Sequence, residues 1–149
     1  METLTTTKDT SKESSTLGQT KNNVETVQQA FNNFLQGNIQ AILEVCTDDI
    51  EWASYENPEV PYGGSFHGKN GVTEFFKNLS EQVNYSRFEA QQYISQGDDV
   101  IVLGHQSGTV KSTEKTFDHD WCFSFKMQSG KVKRFFAYVD TRDQAQAFE

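Results

Sequence analysis

The sequence predicts an α+β domain, with helices gathered in its first half and packed against one face of a bent antiparallel sheet built from its second half. Three observations carry this. Apart from one short strand-like run, apolar residues recur at helical intervals as far as Val83 and at strand-like intervals afterwards. The signals dividing the later stretch are short turns, Gly97-Asp98-Asp99 and Ser129-Gly130, of the kind antiparallel hairpins use. Aromatic residues make up 13% of the chain, twelve of them Phe, which suits a curved sheet around a lined cavity better than a flat surface.

With 149 residues there is chain enough for one domain with a sizeable core and too little for two. Residues 1–20 are mostly Thr, Ser, Lys and Glu with little to bury. Ordering them costs entropy that nothing offsets, so a disordered tail is expected there and the domain at 21–149. Val24, Val27, Phe31, Phe34 and Leu35 form the apolar stripe of a first helix that Gly37 stops. Asn38 can cap a second, short helix carrying Ile39, Ile42, Leu43 and Cys46, ended by Thr47-Asp48-Asp49. Ile50–Tyr55 reads as a strand. Both prolines and several glycines fall between Glu56 and Gly68, a loop placed to cross the mouth of a cavity. Val72, Phe75, Phe76, Leu79 and Val83 line a third helix. Strands follow at about Tyr85–Ser95, Val100–Lys111, Thr116–Met127 and Lys131–Val139, and Thr141 with Gln144 resembles a capping box opening a terminal helix.

Composition narrows the function. Thirteen Lys+Arg against twenty-one Asp+Glu give a net charge of −8, which repels phosphate backbones and anionic lipid, so nucleic acid and membrane are not expected as partners. Cys46 and Cys122 sit in no CxxC spacing and are too few for a disulfide framework, so a cytoplasmic setting is expected. The first twenty residues lack the apolar core of a secretory signal. With three histidines and no HxH or HxxxH spacing, no metal is expected. The chain has no Walker loop, GxGxxG or GxSxG, so no nucleotide cofactor and no serine nucleophile are expected either.

Four stretches then point to a family. Gly37-Asn38-Ile39-Gln40-Ala41-Ile42 with Thr47-Asp48-Asp49-Ile50-Glu51-Trp52 opens the domain, and Gly64-Ser65-Phe66-His67-Gly68-Lys69-Asn70-Gly71-Val72 enters the third helix. Ser129-Gly130-Lys131-Val132 and Tyr138-Val139-Asp140-Thr141 close it. In this order the chain resembles the SnoaL-like polyketide cyclases and ketosteroid isomerases of the nuclear-transport-factor-two-like (NTF2-like) superfamily. The resemblance implies a cone-shaped fold whose bent sheet wraps around three helices, a small organic ligand in the cone, and a homodimer. It does not fix the reaction, because this fold hosts isomerases, hydrolases, dehydratases, cyclases and binding modules. The positions where the ketosteroid isomerases carry their Tyr and two Asp fall here at about Ala30, Ser54 and Trp121 or Cys122. Isomerisation by that mechanism is therefore not expected.

Candidate site residues follow from alternation. In the third meander strand Phe117, His119, Trp121, Phe123 and Phe125 share one face, which must be the concave one. His119 there is either an acid–base group or a core histidine bonded to its surroundings, and Trp121 offers an indole N–H to a ligand oxygen. Asp140 ends the last strand, as a base or as a helix cap. Tyr138, of the same parity, either meets a ligand or fills core. Trp52 and Ser54 share the face of Ile50 and should look into the cone, Trp52 as a stacking wall or as plain core. His105 alternates with Ile101 and Leu103 on a strand apolar on both sides, which leaves its face open, and His67 in a Gly-flanked turn should be solvated. The expectation is a cofactor-independent acid–base enzyme acting through His119 and Asp140. The alternative is a ligand-binding or dimeric interaction module of the same fold.

Overall fold

The change from helical to alternating spacing marks the boundary between two layers. In the computed structural model, which describes residues 11–149 and side chains from residue 22 onward, the elements are α1 (Ser11–Leu35), α2 (Ile39–Glu44), β1 (Cys46–Ser54), β2 (Ser65–His67), α3 (Gly68–Gln82), β3 (Val83–Gln96), β4 (Asp99–Val110), β5 (Thr116–Gln128), β6 (Lys131–Tyr138) and α4 (Thr141–Phe148). The tail expected at 1–20 falls outside the described residues over 1–10, and over 11–20 only a helical backbone is described.

The strands form one bent, unclosed sheet in the order β2-β1-β6-β5-β4-β3. β3 to β6 are an antiparallel meander, β1 lies parallel to β6, and β2 pairs antiparallel with β1. Three local details differ from the sequence expectation, the first being that Val83 opens β3 instead of closing the third helix. β1 begins at Cys46, because the polar Thr47-Asp48-Asp49 run is extended across a register shift between Cys46 and Glu51. β2 lies inside the expected loop, and three residues are too few to show an alternation.

The concave face is the core. β5 alternates buried and less buried positions throughout, and Phe117, Trp121, Phe123 and Phe125 all point inward. α1 lays Phe31 across them, its ring stacked 5.7 Å from Trp121 and 6.1 Å from Phe123, while α3 supplies Val72, Phe76 and Leu79. Each large side chain buried in this way contributes roughly 1.5–3 kcal/mol. Two glycines of β4 make room for the rings. A Cβ at Gly104 would lie 2.3 Å from the Trp121 ring and from the Glu89 carbonyl, and one at Gly108 would lie 2.8 Å from the Phe117 ring. β4 is thus thinned where β5 is thickest, as close packing demands.

Candidate functional site

Inside the cone the helices and the sheet do not quite meet. They leave a cavity with about 70 Å³ open to the centre of a water-sized sphere, lined by thirteen residues of which ten are aromatic. α1 contributes Ala30, Phe31 and Phe34, α3 contributes Phe75, Phe76 and Leu79, and the sheet contributes Trp52, Tyr85, Phe88, Phe123, Phe125 and Phe135, with Ile42 from α2. No lining residue is charged. Such a lining neither orders water nor holds an ion. Among the described residues no group of three or more His, Cys, Asp or Glu is placed to hold a metal ion.

Trp52 is on this wall, stacked on Phe135 with ring centroids 4.0 Å apart. Its Nε1 is buried with no hydrogen-bond partner among the described residues, as is that of Trp121. A buried donor left unpaired costs about 1–3 kcal/mol, and faces of neighbouring rings recover part of it for an indole N–H.

The inward register of His119 is as the alternation predicts, and the residue is 7% exposed. It nevertheless stands beside the cavity rather than on its wall, beyond Trp121 and next to Phe117. Both ring nitrogens are engaged. Nδ1–H donates to Asp143 Oδ2 at 2.8 Å, and Nε2 accepts from the Gln106 amide at 2.9 Å, an arrangement that assigns the Nδ1–H tautomer. Asp143 also accepts from the Asp118 backbone N–H. Burial pushes the Asp143 carboxyl up, but these two hydrogen bonds outweigh it and hold the group below the usual range. The next residue of α4, Gln144, donates to the Tyr62 hydroxyl at 3.1 Å, so adjacent residues tie the helix to the sheet and to the loop across the mouth.

The remaining candidates lie elsewhere. Asp140 is the N-cap of α4, its carboxylate accepting from the Asp143 N–H at 3.0 Å, so the cap is this residue rather than Thr141. Tyr138 is on the outer face, 44% exposed, and is corrected from the cavity side: Phe135 and Ala137 take the inward positions once the register shifts between Lys126 and Met127. Ser54 is half-buried and its backbone N–H donates to Gly64, off the cavity wall. His105 is also on the outer face, its Nδ1 2.7 Å from Asp120 and its Nε2 bonded to Asp118. Two carboxylate acceptors on one ring require both nitrogens to carry protons, and the Asp120 bond leads in raising the His105 pKa. His67 is exposed, 4.0 Å from Glu51.

Sequence reasoning passed over Tyr85, Gln106 and Asp143. β3 carries register shifts between Tyr85 and Arg87 and between Ala90 and Gln92, which erase the period that would have placed Tyr85 inward. Gln106 is the ladder partner of His119 and could have been found by pairing the two strands. Asp143 had no signal beyond its place in the first turn of a short helix.

These features agree with what the chain is similar to. The sequence profile of the SnoaL-like domain matches residues 27–135. An NTF2-like protein from Burkholderia xenovorans LB400 is 32% identical, with a TM-score of 0.80 over 87% of this chain and 98% of that one. TerC, co-crystallized with polyporic acid, is 25% identical, with a TM-score of 0.75 over 85% of this chain and 98% of its own. An NTF2-like protein from Burkholderia thailandensis E264 shares the fold at 24% identity and a TM-score of 0.78, over 85% and 97%. Among curated proteins nothing matches.

Proposed function

The chain belongs to the SnoaL-like domain family, and we propose that it binds a small, uncharged, largely apolar organic molecule in its cone. The observation that carries this is the lining: ten aromatic residues of thirteen, and no charge. Apolar pockets of this kind select ligands by shape and ring contact. The co-crystallization of TerC with polyporic acid supports a small organic occupant. The free thiols of Cys46 and Cys122 favour a reducing, cytoplasmic setting. The test is calorimetric titration with indane, a compact apolar probe, against the protein and an Ala30→Leu variant, whose added methyls enter the cavity from α1. We expect indane to bind, and the variant to keep its melting temperature while losing at least about tenfold in affinity, a few buried methyl contacts being enough. Absence of binding, or equal binding by the variant, would overturn the reading.

Proton transfer is a second reading, favoured by one observation. His119 and Asp143, 2.8 Å apart, are paired as a base and its orienting acid. It requires Gln106 to release Nε2 and a substrate to reach past Trp121. For that reason binding is the reading we prefer.

A homodimer through the outer sheet face is favoured by where the apolar surface lies. Of the five exposed large hydrophobic residues among those described, Tyr55, Ile94, Leu103 and Tyr138 are on or beside that face and Leu35 is not. Leu103, Cys122 and Tyr138 form one cross-strand row at its centre. A contiguous apolar face of this sort marks an interface, and a second copy covers it with the same row. Light scattering should give twice the chain mass for the wild type and the monomer mass for Leu103→Glu; a monomeric wild type would refute it.

A further inference from the structure

We infer that two copies of the chain pack their outer sheet faces with strands running in opposite directions, so that Asp120 of each subunit lies over Lys126 of the other. The inference rests on the homodimer reading above and adds its orientation, which the charges along β5 decide.

The outer positions of β5 read Asp118, Asp120, Cys122, Ser124 and Lys126. They are acidic at one end, uncharged in the middle and basic at the other. Ladder pairing extends this order across the sheet. Ile101, Ser124 and Phe136 form one row, continued by Ile94 on β3, and Leu103, Cys122 and Tyr138 form the next. Beyond the first of these lies the row of Gln96, Asp99, Lys126 and Arg134, and beyond the second lies the row of Glu89, His105 and Asp120. Two uncharged rows are thus flanked on β5 by charges of opposite sign. Asp118 and Asp120 both touch His105, yet their side chains stay 72% and 86% exposed, so neither is enclosed by its own chain. Lys126, 2.8 Å from Asp99, also keeps part of its side chain in solvent.

A two-fold axis that stacks two sheets face to face lies in the plane between them and runs either along the strands or across them. An axis along the strands sets every row on its own copy. Asp118 and Asp120 then face the partner's Asp118 and Asp120, an arrangement that like-charge repulsion opposes. An axis across the strands exchanges the rows end for end. Placed between the two uncharged rows, it lays each of them on the other and buries Ile101, Leu103, Phe136 and Tyr138 together. One step further out on either side, the same axis brings Lys126 to the partner's Asp120 and Asp99 to the partner's His105. Aligned sheets lie about 10 Å apart and cross at about 30°, an offset that a lysine side chain spans.

Sedimentation equilibrium on the wild type, Lys126→Asp, Asp120→Lys and the double variant tests the orientation through the dimer Kd. Each single reversal sets two like-charged pairs across the interface, one for each half of the two-fold, and should weaken the dimer by at least about tenfold. The double variant exchanges the ends of β5 and should return to within about threefold of the wild type. If the single reversals leave the dimer as tight as that of the wild type, each row meets its own copy; if they weaken it and the double variant does not recover, residues 120 and 126 do not meet. Either result overturns the orientation while the homodimer stands. A monomeric wild type overturns the homodimer reading and takes the orientation with it. Melting temperatures separate these outcomes from misfolding. Should a reversal unfold the chain, Lys126→Gln and Asp120→Asn close a second cycle, in which the double variant should lose no more affinity than either single one, and additive losses would overturn the pairing.

Discussion

The two histidines of the central ladder stand one rung apart on opposite faces of the same pair of strands, and they have different chemistry. His119 on β5 pairs with Gln106 on β4, and His105 on β4 pairs with Asp120 on β5. The first points inward, is buried, and is divided between one acid and one amide. The second points outward, where two carboxylates on one ring favour its protonated form. Neither difference is visible in residue type. Strand parity decides which histidine is buried between β5 and α4 and which lies among surface carboxylates, and the same parity puts the aromatic rings inside and Leu103, Cys122 and Tyr138 outside.

The largest way to break this contrast is to thicken the inner face. Gly104→Ala places a Cβ where the Trp121 ring and the Glu89 carbonyl already are. It should cost about 3 kcal/mol, at the upper end of overpacking, and should also lower affinity for indane as Trp121 is displaced toward the cavity. Leu103→Ala, one residue away and facing outward, should cost under about 1 kcal/mol in the folded monomer. Urea unfolding of the two variants side by side measures the contrast, and similar losses would refute it.

A smaller effect is expected at His119 itself. His119→Gln keeps a polar side chain but cannot satisfy both Asp143 and Gln106 from the ring positions, and should cost about 1–3 kcal/mol. Because Asp143 belongs to α4, amide exchange should accelerate in α4 before it does in β5. Unchanged affinity for indane separates this structural role from the proton-transfer reading, which instead predicts a retained melting temperature and turnover reduced by about two to four orders of magnitude.

How far the sequence could be read tracks the regularity of each strand. β5 is a clean alternation, so the inward set from Phe117 to Phe125 was legible; on β1, Trp52 is on the cavity wall and Ser54, expected on the same face, is not. The four short motifs were enough for the family and its bent sheet. What failed was phase. β6 carries adjacent aromatics at Phe135 and Phe136 and a register shift opposite Met127, so Tyr138 was carried to the wrong side. β3 carries two shifts, and Tyr85 was missed. Asp140 and Asp143 are three residues apart at a helix start, where a carboxylate can cap or bind, and only the backbone direction separates the two roles. Local pattern reports which residues share a face while the strand is regular; a bulge moves the answer by one residue and reverses every face after it.

The smallest expected effect is on the outer face, and its sign is the opposite of that of the inner pair. His105 is surrounded by Asp118 and Asp120 on β5 and by Arg87 and Glu89 on β3, with Arg87 bonded to Glu89 at 2.9 Å. The bond to Asp120 raises the His105 pKa above its ordinary value, with desolvation and Arg87 opposing and Asp118 assisting. The folded state therefore holds this proton more tightly than the unfolded chain. The stabilisation is fully present below about pH 6.5, the unfolded value, and is lost as pH rises through the raised folded value. Because the carboxylates are largely exposed the effect should be small and weakened by salt. The melting temperature of the wild type should thus fall relative to that of His105→Gln as pH rises above about 6.5, the unfolded value, with the two curves parallel in acid. Asp143→Asn should do the reverse: the depressed Asp143 carboxyl stabilises above its unfolded pKa and loses that contribution as pH falls through the folded one, so this variant should converge on the wild type only in acid. Crossed results, an acid-limb change in His105→Gln or an alkaline-limb change in Asp143→Asn, would mean that the proton sits on the other face of the ladder.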